Sequence, residues 1–213
     1  MKLSAETLRL YAVTDRSWLN GRTLFDQVEE ALTGGVTLVQ LREKEIPEYA
    51  FLKEAVQMAK LCHRHNVPLI INDNVDVAMK SGADGVHIGQ DDMETASARK
   101  RLGKDMIVGV TAKTVEQAIK AQEAGADYLG SGAVFGSTTK TNAKLMTTEL
   151  LSSITRAVSI PVVAIGGINR SNILQLRSTG ISGAAIVSGI FAAKHIETEC
   201  CLLRELVDLV IQS

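Results

Sequence analysis

The feature that most constrains this chain is a series of short apolar runs, each ending in a polar cluster. Leu38-Val39 leads into Gln40-Leu41-Arg42-Glu43-Lys44, Pro68 to Ile71 into Asn72-Asp73, and Gly85 to Ile88 into Gly89-Gln90-Asp91-Asp92. Tyr128 to Phe135 leads into Gly136-Ser137-Thr138-Thr139-Lys140, Val162 to Ile165 into Gly166-Gly167, and Ala184 to Val187 into Ser188-Gly189. Runs of four to eight apolar residues read as parallel strands buried on both faces. In barrels the chemistry gathers at the C-terminal ends of such strands. The pattern thus collects amides, carboxylates, lysines, hydroxyls and glycines at one end of a sheet.

With Leu8 to Val13 and the run from Asp105-Met106-Ile107, the candidate strands number eight. Glycine junctions recur at Thr33-Gly34-Gly35, Ser81 to Gly85, Ala124 to Tyr128 and Thr179 to Gly183. Each reads as a helix end capped by glycine before the next strand, and each interval holds two strand–helix units, a quarter-barrel repeat. The segments between read as amphipathic helices. Tyr49 to His65 carries an apolar stripe, Thr114 is a plausible cap for the next such stripe, and a final helix starts near Lys194. Strands alternating with helices imply a parallel α/β fold. Eight of them favour a closed (β/α)₈ barrel (TIM barrel) occupying residues 1–213 as one domain. No Gly-x-Gly-x-x-Gly turn follows the first strand, which counts against a dinucleotide-binding sheet.

The 213 residues suffice for one substantial core. A net charge of −1, from 23 basic and 24 acidic residues, gives no reason to expect nucleic acid or a membrane surface as partner. No apolar stretch is long enough to span a bilayer and no signal peptide is visible. The three cysteines, Cys62, Cys200 and Cys201, suit neither a disulfide framework nor a metal site. They read as reduced thiols, and the expected compartment is the cytoplasm.

The chemistry-bearing clusters each have a bland alternative. Asp73 and Asp92 end consecutive strands, and neighbouring strands lie roughly 4.8 Å apart. Their carboxylates can share one divalent cation, for which oxygen ligands suggest magnesium. Alternatively each caps the helix that follows it. Asp91 competes with Asp92 for the metal role. Gln40, Arg42 and Lys44 alternate past the second strand, so they project together toward the mouth and suit a polyanion such as pyrophosphate. The alternative is a solvated loop whose cations pair with Glu43 or Glu45. The Gly136 to Lys140 loop offers hydroxyls and a lysine for phosphate, or is simply a mobile polar loop. Gly166-Gly167 and Ser188-Gly189 stand where barrels frequently bind phosphate through backbone N–H groups. His87, inside the fourth strand, reads as a packed histidine. No Ser-His-Asp or Cys-His arrangement is suggested. A site of cations, metal and hydroxyls fits chemistry done by stabilising a leaving group.

These clusters, in this order, resemble the thiamine phosphate synthase family, from Tyr11-Ala12-Val13-Thr14-Asp15-Arg16 to Val187-Ser188. The specific parts are Gln40 to Lys44, Ile71-Asn72-Asp73, His87 to Asp92, Thr138-Thr139-Lys140 and Ile165 to Ile168. The resemblance implies a (β/α)₈ barrel that joins a pyrimidine pyrophosphate to a thiazole phosphate, with magnesium required. By that resemblance Gln40, Arg42, Lys44, Asn72 and Lys140 hold the pyrimidine pyrophosphate, with Arg42, Lys44 and Lys140 serving the leaving group. Asp73 and Asp92 hold magnesium. Thr111, Ser137, Thr139, Gly167, Val187 and Ser188 surround the thiazole phosphate and the departing pyrophosphate.

The chain departs from the family pattern at Gly136-Ser137, where Pro-Thr is usual, at Thr111, where serine is usual, and at Lys113, where histidine is expected. The thiazole tautomerase branch of the same superfamily is the alternative, but its catalytic histidine is replaced by Lys113 and it needs no pyrophosphate and magnesium set. A silent barrel binding a phosphate ester is a second alternative. The preferred thiazole, and whether the chain forms a homo-oligomer, stay open.

Overall fold

The computed structural model describes residues 3–136 and 145–212. Ser137, Thr139 and Lys140 lie outside the described residues.

The chain runs as β1 (Leu10–Val13), α1 (Leu24–Thr33), β2 (Leu38–Leu41), α2 (Glu48–Arg64), β3 (Leu69–Asn72), α3 (Val75–Ser81), β4 (Gly85–Ile88) and α4 (Thr95–Leu102). It continues as β5 (Ile107–Thr111), α5 (Val115–Glu123), β6 (Tyr128–Gly132), α6 (Thr148–Ala157), β7 (Val162–Ile165), β8 (Gly183–Ile186), α7 (Ser188–Phe191) and α8 (Ile196–Ile211). All strand pairs are parallel. β1 pairs with β2 through Tyr11↔Leu38 and with β8 through Tyr11↔Ala185, which closes the barrel in sequence order.

Closure explains why the strands are apolar on both faces. Leu10, Ala12, Val39, Leu41, Ile71, Val86, Val108 and Leu129 face outward and pack against the helices. Tyr11, Leu38, Ile70, Ile107, Tyr128, Val163 and Ala185 face inward and fill the barrel. Period-two alternation with both sides buried is what a parallel barrel requires. Two interior glycines make room for bulk. A Cβ at Gly109 would overlap the Tyr128 ring, and one at Gly130 would press on His87 Cε1 at 3.0 Å.

The expected cap of α5 is present: Thr114 Oγ1 accepts from Gln117 N at 3.2 Å. Thr23 and Asp26 form a reciprocal capping box on α1, and Thr147 caps α6. Gly82 ends α3 in the left-handed region with φ +78°. Two sequence expectations are corrected. β6 ends at Gly132 rather than Phe135, although Val134 N and Phe135 N still bond to Ile165 O and Gly166 O beyond it. Gly180 follows the short 3₁₀ turn Ile173–Leu176, not an α-helix. Asn169 and Asn172 take up the backbone there, accepting from Ser171 N and Asn169 N in local turns that compete with helix.

Candidate active site

The polar residues that end β1 to β4 converge at one mouth. Gln40 is buried at the end of β2, and Asn72 closes β3 at 9 % exposure. Past β2, the backbone N–H of Arg42 donates to Thr14 Oγ1 at 2.9 Å, and the Arg42 guanidinium pairs with Asp15 at 3.3 Å. Lys44 Nζ pairs with Asp73. Between these two cations Glu43 turns the other way. Its side chain is 4 % exposed and accepts from Arg16 Nε at 2.9 Å, while the same guanidinium reaches Glu54 on α2 at 2.6 Å. The bland reading of the loop therefore fails in one respect: neither Arg42 nor Lys44 pairs with Glu43 or Glu45. Extended alternation sends Glu43 to an anchor on the barrel wall and leaves both cations at the mouth. Asp15, Arg16, Trp18, Arg42, Glu43 and Lys44 line a cavity of about 640 Å³ here.

The two carboxylates ending β3 and β4 come together. The Asp92 carboxyl lies in hydrogen-bond contact with that of Asp73, and its pKa is raised by burial and by this like-charged neighbour. The helix-capping alternative is overturned for both. Asn74, not Asp73, caps α3 by accepting from Val77 N at 2.9 Å, while Glu94 holds the cap position of α4 without a side-chain bond. Asp92 instead accepts from Gly89 N at 2.6 Å. That bond folds the loop back on itself and brings Asp92 to Asp73. The Asp73 backbone sits in the left-handed region at φ +62°, a conformation that Asp and Asn tolerate better than most residues. Among the described residues no group of three or more His, Cys, Asp or Glu forms a metal cluster.

The far side of the mouth carries the phosphate candidates. Gly167 has φ +67°, and a Cβ there would stand 2.6 Å from Phe135 O, so only glycine lets the β6 and β7 loops meet. Its carbonyl accepts from Asn172 Nδ2 at 2.9 Å. Val187 precedes α7 and Ser188 opens it, so the first N–H groups of that turn lack partners within the helix. Thr111 ends β5; its carbonyl accepts from Gln90 Nε2 at 2.6 Å, and its hydroxyl lies 3.0 Å from His87 Nε2. Lys113 is exposed, and its backbone N–H is held by Gln117.

Sequence reasoning read His87 as a packed histidine but missed the interior line it joins. Tyr11, Tyr128 and His87 form a hydrogen-bonded line joining Gln40 to Thr111 across the barrel. A signal existed: a tyrosine at an inward strand position, faced in register by the glycine Gly109, marks a side chain that crosses the barrel. Arg16 and Glu54 were also missed as the anchor of Glu43.

The chain matches the family model described as thiamine monophosphate synthase over residues 10–190. It is 50 % identical over 197 residues to the thiamine-phosphate synthase of Ruminiclostridium cellulolyticum, covering 92 % of this chain and 94 % of that one. It is 46 % identical to the enzyme so named in Clostridium acetobutylicum, covering 93 % and 94 %. Among solved structures it superimposes on thiamine phosphate pyrophosphorylase from Pyrococcus furiosus with a TM-score of 0.89 at 35 % identity, covering 97 % and 98 % of the two chains.

Proposed function

The chain belongs to the thiamine monophosphate synthase family of transferases, and from that membership we propose that it couples 4-amino-2-methyl-5-hydroxymethylpyrimidine pyrophosphate to a thiazole phosphate, giving thiamine phosphate and pyrophosphate. The observation that carries this reading is Lys44 seated on the Asp73–Asp92 pair, with Arg42, held by Asp15, lining the same cavity as Lys44. A silent phosphate-ester barrel needs no paired carboxylates. The tautomerase alternative carries a catalytic histidine where this chain has Lys113.

The methylene C–O bond of the pyrimidine breaks and pyrophosphate leaves with the electron pair. The thiazole nitrogen then donates its lone pair to form the new C–N bond. The 4-amino group feeds electrons into the developing cation, so no protein nucleophile is required. Arg42, Lys44 and Lys140 bind pyrophosphate oxygens and stabilise the charge that grows on them. Gln40 and Asn72 orient the pyrimidine. Thr111, Ser137, Thr139, Gly167, Val187 and Ser188 hold the thiazole phosphate beside the methylene carbon, trading bimolecular entropy for position.

The donor set at Asp73 and Asp92 fits one magnesium ion. Two carboxylates in contact, one with a raised pKa and both near Lys44, form a repulsive pair that a hard dication relieves. When bound, magnesium supplies Lewis-acid stabilisation of the leaving pyrophosphate. The three free thiols, Cys201 exposed among them, suit a reducing compartment, and we place the enzyme in the cytoplasm.

The test incubates purified protein with both substrates and magnesium and quantifies thiamine phosphate with and without chelator. Chelator-sensitive product is expected. No product, alongside an active control synthase, would overturn the reading.

A further inference from the structure

A line of hydrogen bonds crosses the barrel beneath the mouth, and the bond-making step above does not use it. Gln40 Nε2 donates to Tyr11 OH at 2.5 Å, and the Tyr11 and Tyr128 hydroxyls meet at 2.8 Å. Tyr128 OH lies 3.0 Å from His87 Nδ1, and His87 Nε2 lies 3.0 Å from Thr111 Oγ1. The links come from β2, β1, β6, β4 and β5. Both phenols are fully buried and pushed well above the usual tyrosine range by desolvation, so each stays an O–H group.

With each phenol spending its one proton inside the line, the direction follows from the first link. An amide nitrogen can only donate. Tyr11 oxygen receives that proton, and its own proton is directed at Tyr128. Tyr128 is left to donate to His87 Nδ1. A ring nitrogen that accepts carries no proton, so neutral His87 carries it on Nε2 and donates to Thr111 Oγ1. The Thr111 hydroxyl proton is then available to the mouth. At the other end, Gln40 spends one of its two N–H protons on Tyr11, and Oε1 stays an acceptor.

We propose that Tyr11, Tyr128 and His87 form a one-way relay that fixes the hydrogen-bond polarity of the mouth, presenting Gln40 as an acceptor and Thr111 as a donor. They are positioning residues, and they select a pyrimidine bearing an exocyclic N–H donor together with an ester bearing only phosphate acceptors. The substrate part of this inference rests on the function proposed above. The reverse relay would need the other histidine tautomer and would turn the Gln40 NH₂ outward, which suits a 4-oxo pyrimidine instead.

The tautomer is therefore the discriminating observable. The full-length protein is labelled with ¹⁵N-histidine, and long-range ¹H–¹⁵N spectra are recorded without substrates. His87 is assigned by comparison with a His87→Gln variant. The expected result is a bare Nδ1 and a protonated Nε2, with that preference lost in Tyr128→Phe. A wild-type ring protonated on Nδ1, or an unchanged tautomer in Tyr128→Phe, overturns the relay. In kinetics, Tyr128→Phe should raise KM for the 4-amino pyrimidine pyrophosphate about tenfold while kcat stays within about twofold, and should narrow discrimination against the 4-oxo analogue. Wild-type KM and discrimination in that variant would overturn the recognition role. Absence of product from the wild-type protein would count against the proposed function and leave the tautomer result to decide the relay.

Discussion

Lys44 Nζ lies against the carboxylate of Asp73, a residue 29 positions along the chain and on the next strand's end. The lysine we assign to the leaving group and the carboxylate we assign to the metal are thus neighbours. The left-handed backbone of Asp73 decides how this can be probed. Asp73→Asn keeps a residue suited to φ +62°, whereas Asp73→Ala adds about 1 kcal/mol of backbone strain. Asp73→Asn should fold with near-wild-type Tm and need a much higher magnesium concentration for half-maximal coupling. A magnesium titration superimposable on wild type would remove Asp73 from the metal role.

Asp92 gives a pH prediction with a definite sign. Burial and the adjacent Asp73 raise its pKa in the folded chain above the unfolded value. The folded state therefore holds the proton to higher pH, and stability is lost as pH climbs from the ordinary carboxylate range through the raised value. Asp92→Asn removes that loss. With chelator present, the variant should melt higher than wild type at pH 7.5 by about 1 °C, since the group is partly exposed and screened. The difference should vanish below about pH 3.5, where wild-type Asp92 is protonated in both states. A variant that melts lower than wild type at pH 7.5 contradicts this.

Glu43 is the anchor that sends Arg42 and Lys44 to the same side. Glu43→Gln weakens its charge-assisted bonds to Arg16 and should cost about 1 kcal/mol in urea unfolding. The larger effect should be a several-fold rise in KM for the pyrophosphate substrate with kcat less affected. An unchanged KM would mean the cations hold their places without the anchor.

Gly109→Ala drives a methyl group into the Tyr128 ring inside the closed barrel. Overpacking of this kind costs about 1–3 kcal/mol. The same change on an exposed helix would be neutral or stabilising. Equilibrium denaturation decides it, and a variant as stable as wild type would show that Tyr128 can yield.

Lys140 lies outside the described residues, and its role is tested by activity alone. Lys140→Ala should lower turnover on the order of 10²-fold while leaving Tm within a degree or so, as loss of one group that stabilises the leaving charge does. Unchanged turnover would remove it from the mechanism.

Much of the architecture was legible because each strand is a local apolar run and each helix a local stripe. Thr114 as a cap, α2 within a residue of Tyr49–His65, and the glycine of Gly82 all depend on residues a few positions apart. The polar ends of β2, β3 and β4 were legible for the same reason, since strand direction alone places Gln40, Asn72 and Asp73 at one end. The 3₁₀ turn before Gly180 was not, because Asn169 and Asn172 outcompete helical bonding there through side-chain contacts that periodicity does not register.

The sequence by itself determined the parallel barrel and the collection of cations, carboxylates and glycines at its mouth, because alternation and run length are properties of neighbours in the chain. Only the tertiary structure decided which partners those groups take. Glu43 chooses Arg16 rather than the adjacent cations, Asn74 displaces Asp73 from the cap, Asp92 reaches Asp73 across two strand ends, and Tyr11 meets Tyr128 across the interior. Each pairing depends on the register that barrel closure imposes between distant strands, or on a loop folding back on its own backbone, and neither is written in the local pattern.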